Sequence, residues 1–138
     1  MSKSSVKLEI VTPRGVMLET EADEVVVISD QGEVGILPMH AMYITLVRPG
    51  RLFYKKGSEI TACAVDVGFA SVKENALTVA TRRYSAADDI DLECMQDDLA
   101  EINEEISKIF QAPSNAQFRE LDTRRQWLAG CLKAARSA

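Results

Sequence analysis

Gly32-Glu33-Val34-Gly35-Ile36-Leu37-Pro38-Met39-His40-Ala41 lies between two runs of strand-forming residues, 24–29 and 43–47. Its two glycines permit turn conformations and Pro38 restricts Leu37 to extended geometry, so the segment reads as a corner between strands. The same grammar continues outward in both directions. Short alternating or apolar runs rich in Val, Ile and Thr occupy 6–11, 52–55, 60–65, 68–72 and 77–81, broken at Pro13, Gly15, Gly50, Gly57 and Asn75. Parallel strands need crossovers of a dozen or more residues, and no helical pattern of that length separates these runs. The expectation is an all-β unit of two packed antiparallel sheets, a β-sandwich, with Leu8 and Ile10 pointing into its core.

Past Ala86 the period changes. Leu92, Met95, Leu99, Ile102, Ile106 and Ile109 follow one another at spacings of three and four, which places them on one stripe of a helix. The stretch 111–115, containing Pro113, interrupts the pattern, and Phe118, Leu121, Arg125, Leu128, Leu132 and Ala135 resume it. Two helices joined by a short loop predict an antiparallel hairpin. The chain therefore divides into a sandwich over 1–85 and a helical hairpin over 86–138.

Charge follows the same division. Residues 1–85 balance ten acids with ten bases, 86–113 hold nine acids and one base, and 114–138 hold two acids and five bases. The two helices are thus oppositely charged, which favours antiparallel docking through weak exposed pairs. Arg125 is the exception within an apolar stripe. It lies as far beyond Pro113 as Glu101 lies before it, so the spacing predicts an Arg125–Glu101 pair that sets the register, with Asp98 or Glu105 as substitutes.

With 46% hydrophobic and 27% charged residues the chain can build a core, and neither value suggests disorder. A net charge of −5 argues against nucleic acid, whose phosphates call for a basic surface. No run approaches eighteen apolar residues, and residues 1–12 lack the apolar block of a secretory leader, so any membrane association is expected to pass through a partner protein or to be weak and at the surface. Cys63, Cys94 and Cys131 form no CxxC pair and fit a reducing cytoplasm, and a single histidine, His40, cannot anchor a His-rich metal site. No nucleophile elbow, P-loop or HExxH motif is present, so the chain is not expected to be an enzyme by itself.

The corner segment also carries a resemblance. Gly32-Glu33 followed by Gly35-Ile36-Leu37-Pro38, then His40-Ala41, resembles the signature of the epsilon subunit of bacterial F-type ATP synthases, with Met42 in place of the family's final proline. Val11-Thr12-Pro13, Pro49-Gly50 and Gly68-Phe69-Ala70 with Val72 and Asn75 fall in the family's order. The resemblance implies a ten-stranded β-sandwich followed by two helices, and a non-catalytic rotor component coupling the gamma subunit to the c ring on the cytoplasmic face of the inner membrane. By position it places Gly32 and Glu33 toward the c ring, and Met39, His40, Ala41 and Met42 toward gamma. It also implies a hairpin that can extend along gamma, meet the alpha and beta catalytic subunits and block ATP hydrolysis. One motif departs from the family. In its nucleotide-binding members the first helix opens Ile-or-Leu-Asp-x-x-Arg-Ala; here Ile90-Asp91 is followed by Leu92, Glu93, Cys94 and Met95. Ile90, Asp91 and, from the second helix, Arg124 are what remains of such a site, so no ATP or other cofactor is expected. A free-standing interaction module and a nucleotide sensor are the alternative readings.

Overall fold

The computed structural model describes residues 5–108 and 116–137. Ten strands come first: β1 (Val6–Thr12), β2 (Gly15–Ala22), β3 (Glu24–Ser29), β4 (Gly32–Ile36), β5 (Tyr43–Val47), β6 (Gly50–Lys56), β7 (Glu59–Val65), β8 (Gly68–Lys73), β9 (Ala76–Thr81) and β10 (Tyr84–Ala86). A 3₁₀ turn, Ala87–Asp89, leads to the helices α1 (Leu92–Lys108) and α2 (Ala116–Ser137).

The strands form two layers. One runs β10-β7-β6-β3 with β4 paired to β3, and the other runs β5-β8-β9-β1-β2. The layers are continuous through β3 and β5, which share the single register pair Ser29–Val47, so the sandwich is one sheet folded over its own core. Side-chain alternation supplies that core: Val6, Leu8, Ile10, Val25, Val27, Leu52, Val72, Leu77 and Val79 are fully buried, Leu8 and Ile10 as expected. The pairings are antiparallel except one. β1 lies parallel to β9, with Lys7 opposite Ala76 and Val11 opposite Ala80. The whole intervening chain serves as the crossover, so the rule against short parallel connections is kept although the purely antiparallel expectation is not.

Sequence patterning overlooked β2, β4 and β10, because Met17, Glu19 and Glu21 are exposed along an edge strand, β4 carries two glycines, and β10 has three residues. Hairpin turns fix the register. Glu74 and Asn75 both have positive φ, 53° and 62°, between the paired Lys73 and Ala76, which is the backbone of a type I′ turn.

The hairpin docks through α2, which packs on β6 and β7 while α1 packs on α2. The outer face of this layer is made of small residues. Ala62 and Ala64 are buried beneath the helix, and Gly130 of α2 meets Gly50 of β6 backbone to backbone. Leu121, Trp127, Leu128, Cys131 and Ala134 join Ile102 and Ala64 in a second core, with Met95, Leu99 and Ile106 half-buried against it. The predicted seam of α1 is therefore present from Met95 to Ile106, while Leu92 is exposed and Ile109 and the 111–115 turn lie outside the described residues.

Arg125 corrects one expectation. Its guanidinium bonds Asp122 one turn earlier in α2, with Nε 3.0 Å from Oδ1, and Glu101 is exposed. By helical spacing Arg125 stands at the margin of the seam beside Asp122, and a partner three residues away is reached with less ordering than one on another helix.

Candidate functional site

The predicted contact residues lie at the two ends of β4. At its start, Ser29 and Gly32 are paired across a two-residue turn, Asp30-Gln31, and Gly32 takes φ 108°, a value that favours glycine. Ser29 Oγ accepts from Gln31 N at 3.1 Å and donates to the Gly32 carbonyl at 2.9 Å, while Asp30 is paired with Arg48 at 3.1 Å. The turn is thus held from inside, and Glu33 projects beside it, exposed.

At the far end of β4, about five residues of strand or ~16 Å away, the chain turns through Leu37-Pro38-Met39. Met39 has φ 63°, and its N–H donates to Asn75 Oδ1 at 2.8 Å. Asn75 Nδ2 in turn donates to the Ser5 carbonyl at 2.8 Å, so one side chain ties the corner, the β8–β9 turn and the start of the chain together. His40 Nδ1 lies 2.7 Å from the Ala41 carbonyl and its ring leans on Tyr43 at 5.6 Å, a positioning role. Ala41 is exposed, and Met39 and Met42 stand 63% and 75% exposed.

The apolar surface does not stop at that corner. Ile44 and Leu46 point outward from β5, and Phe69 points outward from β8 directly opposite Leu46. Ile44 is 70% and Phe69 56% exposed. Register extends the row across the layer, because Phe69 pairs with Ala80 of β9 and Ala80 with Val11 of β1. A recess of about 410 Å³ lined by Val11, Pro13, Val67, Phe69 and Ala80 lies in this row. The sequence reading stopped at Met42. The missed signal was Tyr43-Ile-Thr-Leu-Val47, a strand apolar on both faces, which fits a sheet covered on both sides.

The remnant nucleotide motif has a structural use. Asp91 Oδ1 accepts from Cys94 N at 3.1 Å and the Asp91 carbonyl accepts from Met95 N at 3.0 Å, so Asp91 is the N-cap of α1. Ile90 packs against the second core. Arg124 lines a recess with Arg82, Arg83, Glu120 and Thr123. Ile90 and Asp91 are not among the residues lining that recess. Among the described residues no group of His, Cys, Asp and Glu is arranged to hold a metal ion, and no helix is long and apolar enough to cross a membrane.

A family model described as the β-sandwich domain of the ATP synthase delta/epsilon chain matches residues 5–87. The chain belongs to the ATP synthase delta/epsilon family. Its relatives are epsilon chains: that of Geotalea daltonii is 35% identical over 82% of this chain and 80% of its own length. The ATP synthase epsilon chain of Nitratidesulfovibrio vulgaris is 40% identical over 66% of this chain and 68% of its own. In the cryo-EM structure of the Euglena gracilis mitochondrial ATP synthase, one chain superposes with a TM-score of 0.80 at 19% identity, covering 95% of this chain and 81% of that one. At that identity the likeness is one of fold, but it takes in the helices beyond residue 87. By its family and its relatives this chain is an epsilon-type accessory subunit of an ATP synthase.

Proposed function

We propose that the chain is a non-catalytic rotor component of a proton-driven ATP synthase, held peripherally at the cytoplasmic face of the membrane, where it ties the gamma subunit to the c ring. The observation that carries this reading is the outward apolar row Met42, Ile44, Leu46 and Phe69 on the β5–β8 layer. α2 packs on β6 and β7 of the other layer, whereas no described residue covers this row, and such apolar surfaces mark interfaces. Methionines at its corner suit an adaptable contact with gamma. The Glu33 turn, at the opposite end of β4, then faces the polar loops of the c ring, where its carboxylate accepts from amide or basic groups.

The hairpin supplies regulation of ATP hydrolysis. Detachment of α2 would uncover Trp127, Cys131 and Ala134 as well as Ala62 and Ala64 of the sheet, so the extended state needs gamma or the catalytic subunits to cover them. ATP has no part in this scheme, since the Asp91 carboxylate is engaged in the helix cap and Asp88, Asp89 and Glu93 surround it with negative charge.

Titration of the chain with purified gamma tests the assignment. Phe69→Asp and Ile44→Asp should each weaken binding by at least about tenfold, as expected for residues central to an interface, without altering the circular dichroism melt. Unchanged affinity in both variants, with loss of binding in Ile60→Asp on the other layer, would place gamma elsewhere.

A further inference from the structure

The corner between β7 and β8 holds a fully buried carboxylate. Asp66 Oδ1 accepts from Val67 N at 2.8 Å, and Oδ2 accepts from Arg82 Nε and Nη2 at 3.2 and 3.1 Å and from Arg83 Nε at 2.9 Å. The backbone closes the corner: Asp66 N donates to Thr81 Oγ1 at 2.9 Å and lies 3.1 Å from the Arg83 carbonyl. One cation is enough to neutralise Asp66, and Arg82 already reaches it through two N–H groups. The charge of Arg83 is therefore surplus to the corner. Its guanidinium carbon lies 4.9 Å from the centroid of the Trp127 ring of α2, so a group held by the sandwich at Nε offers its positive face to the helix. Cys131, one turn further along the same face of α2, also senses Arg83: burial pushes its thiol up to about 11, and the guanidinium pulls in the opposite direction.

We infer that Arg83 is the latch that holds α2 on the sandwich, and that Asp66 aims it while Arg82 carries the charge balance. Opening separates Arg83 from Trp127 and leaves Asp66 with both arginines, because all three belong to the sandwich. No buried charge is stranded on either side of the opened interface, which is the condition for a contact that must break and reform. An ion pair between the sandwich and α2 in the same place would leave an unpaired charge at each opening. The inference rests on the reading of the hairpin as a detachable regulator.

Hydrogen exchange on the full chain, resolved by segment, tests the latch. Arg83→Gln should speed exchange of α2 amides by roughly 2- to 30-fold, the range of one partly exposed cation–π contact, with β1, β8 and β9 unchanged. Arg83→Lys keeps the cation and should recover part of the protection. Trp127→Leu should speed α2 exchange as well, and adding Arg83→Gln to it should then have little further effect, the coupling expected of a contacting pair. Independent, fully additive effects of the two substitutions, or no effect of Arg83→Gln and Arg83→Lys on a helix that does open separately, would overturn the latch alone. If the α2 amides of the unmodified chain exchange only together with those of the strands, the hairpin does not detach and both readings fall.

Discussion

Gly130→Ala should weaken the docking of α2, although in a free helix the same change would strengthen it. A methyl at position 130 would lie 2.7 Å from Cα of Gly50, 3.0 Å from its N and 3.1 Å from its carbonyl carbon. The shortest of these is about 0.7 Å inside ordinary van der Waals contact, and the atoms it meets are strand backbone, paired with Val65 of β7. No side chain can rotate away, so the helix must lift. Overpacking of this kind costs about 1–3 kcal/mol, against which alanine returns about 1 kcal/mol of helix propensity. The net is about 1–2 kcal/mol at the upper part of that range, or roughly 5- to 30-fold in the docked population. Gly50→Ala provides the contrast: its methyl would meet the tip of the Ile28 side chain at 2.7 Å, a group able to turn, so its effect on docking should be the smaller. Segment-resolved hydrogen exchange reads both, with faster exchange expected in α2 and unchanged protection in β1 and β9. A Gly130→Ala chain with slower α2 exchange and a higher melting temperature would refute the backbone contact.

Calorimetric titration with ATP should give no binding in the low micromolar range, and a clear low-micromolar isotherm would overturn the assignment of Asp91 to the helix cap alone. Alkali should loosen the fold: burial raises the Tyr84 hydroxyl from 10.0 to about 12 and the Cys63 thiol from 9.0 to about 12. Both groups are neutral when folded, so their contribution is complete below pH 9, begins to fall as the unfolded Cys63 and then Tyr84 ionise, and is lost as pH approaches 12. Chemical denaturation across that interval should show the decline, and Tyr84→Phe should make it shallower. Glu101→Ala should leave thermal stability within about 0.5 kcal/mol of the parent, while Asp122→Ala, which frees Arg125, should lower it measurably; the reverse ranking would restore the pair between helices.

The sandwich and the hairpin were legible because burial imposes two different periods on the chain, and strands such as Val6–Thr12 and Glu24–Ser29 follow theirs closely. Edge strands were harder to see. β2 faces solvent along much of its length, so no apolar alternation marks it. The second apolar face of α2, Trp127, Cys131 and Ala134, escaped notice because a heptad pattern accounts for one partner and this helix has two, α1 and the sheet. The corner Met39–Met42 was legible as a motif, but its continuation through Ile44, Leu46 and Phe69 depends on register between β5 and β8, a long-range fact that local sequence does not carry. Arg125 shows the converse: counting residues from a turn does not give a side chain's direction around the helix axis, and this one pairs with Asp122 of its own helix.

The parallel contact between β1 and β9 also joins two segments about seventy residues apart in the chain. β1 and β2 can form a hairpin as soon as they exist, but the other side of β1 has no partner until residues 76–80 arrive. Until then Leu8 and Ile10 have only part of their enclosure, and the loop that must close around them spans most of the sandwich. Closure of so long a loop is slow relative to hairpin formation. The insertion of the first strand thus carries the largest loop-closure cost of the sandwich, and the hairpin helices, which follow β9 in the chain, dock on a layer that does not contain that seam.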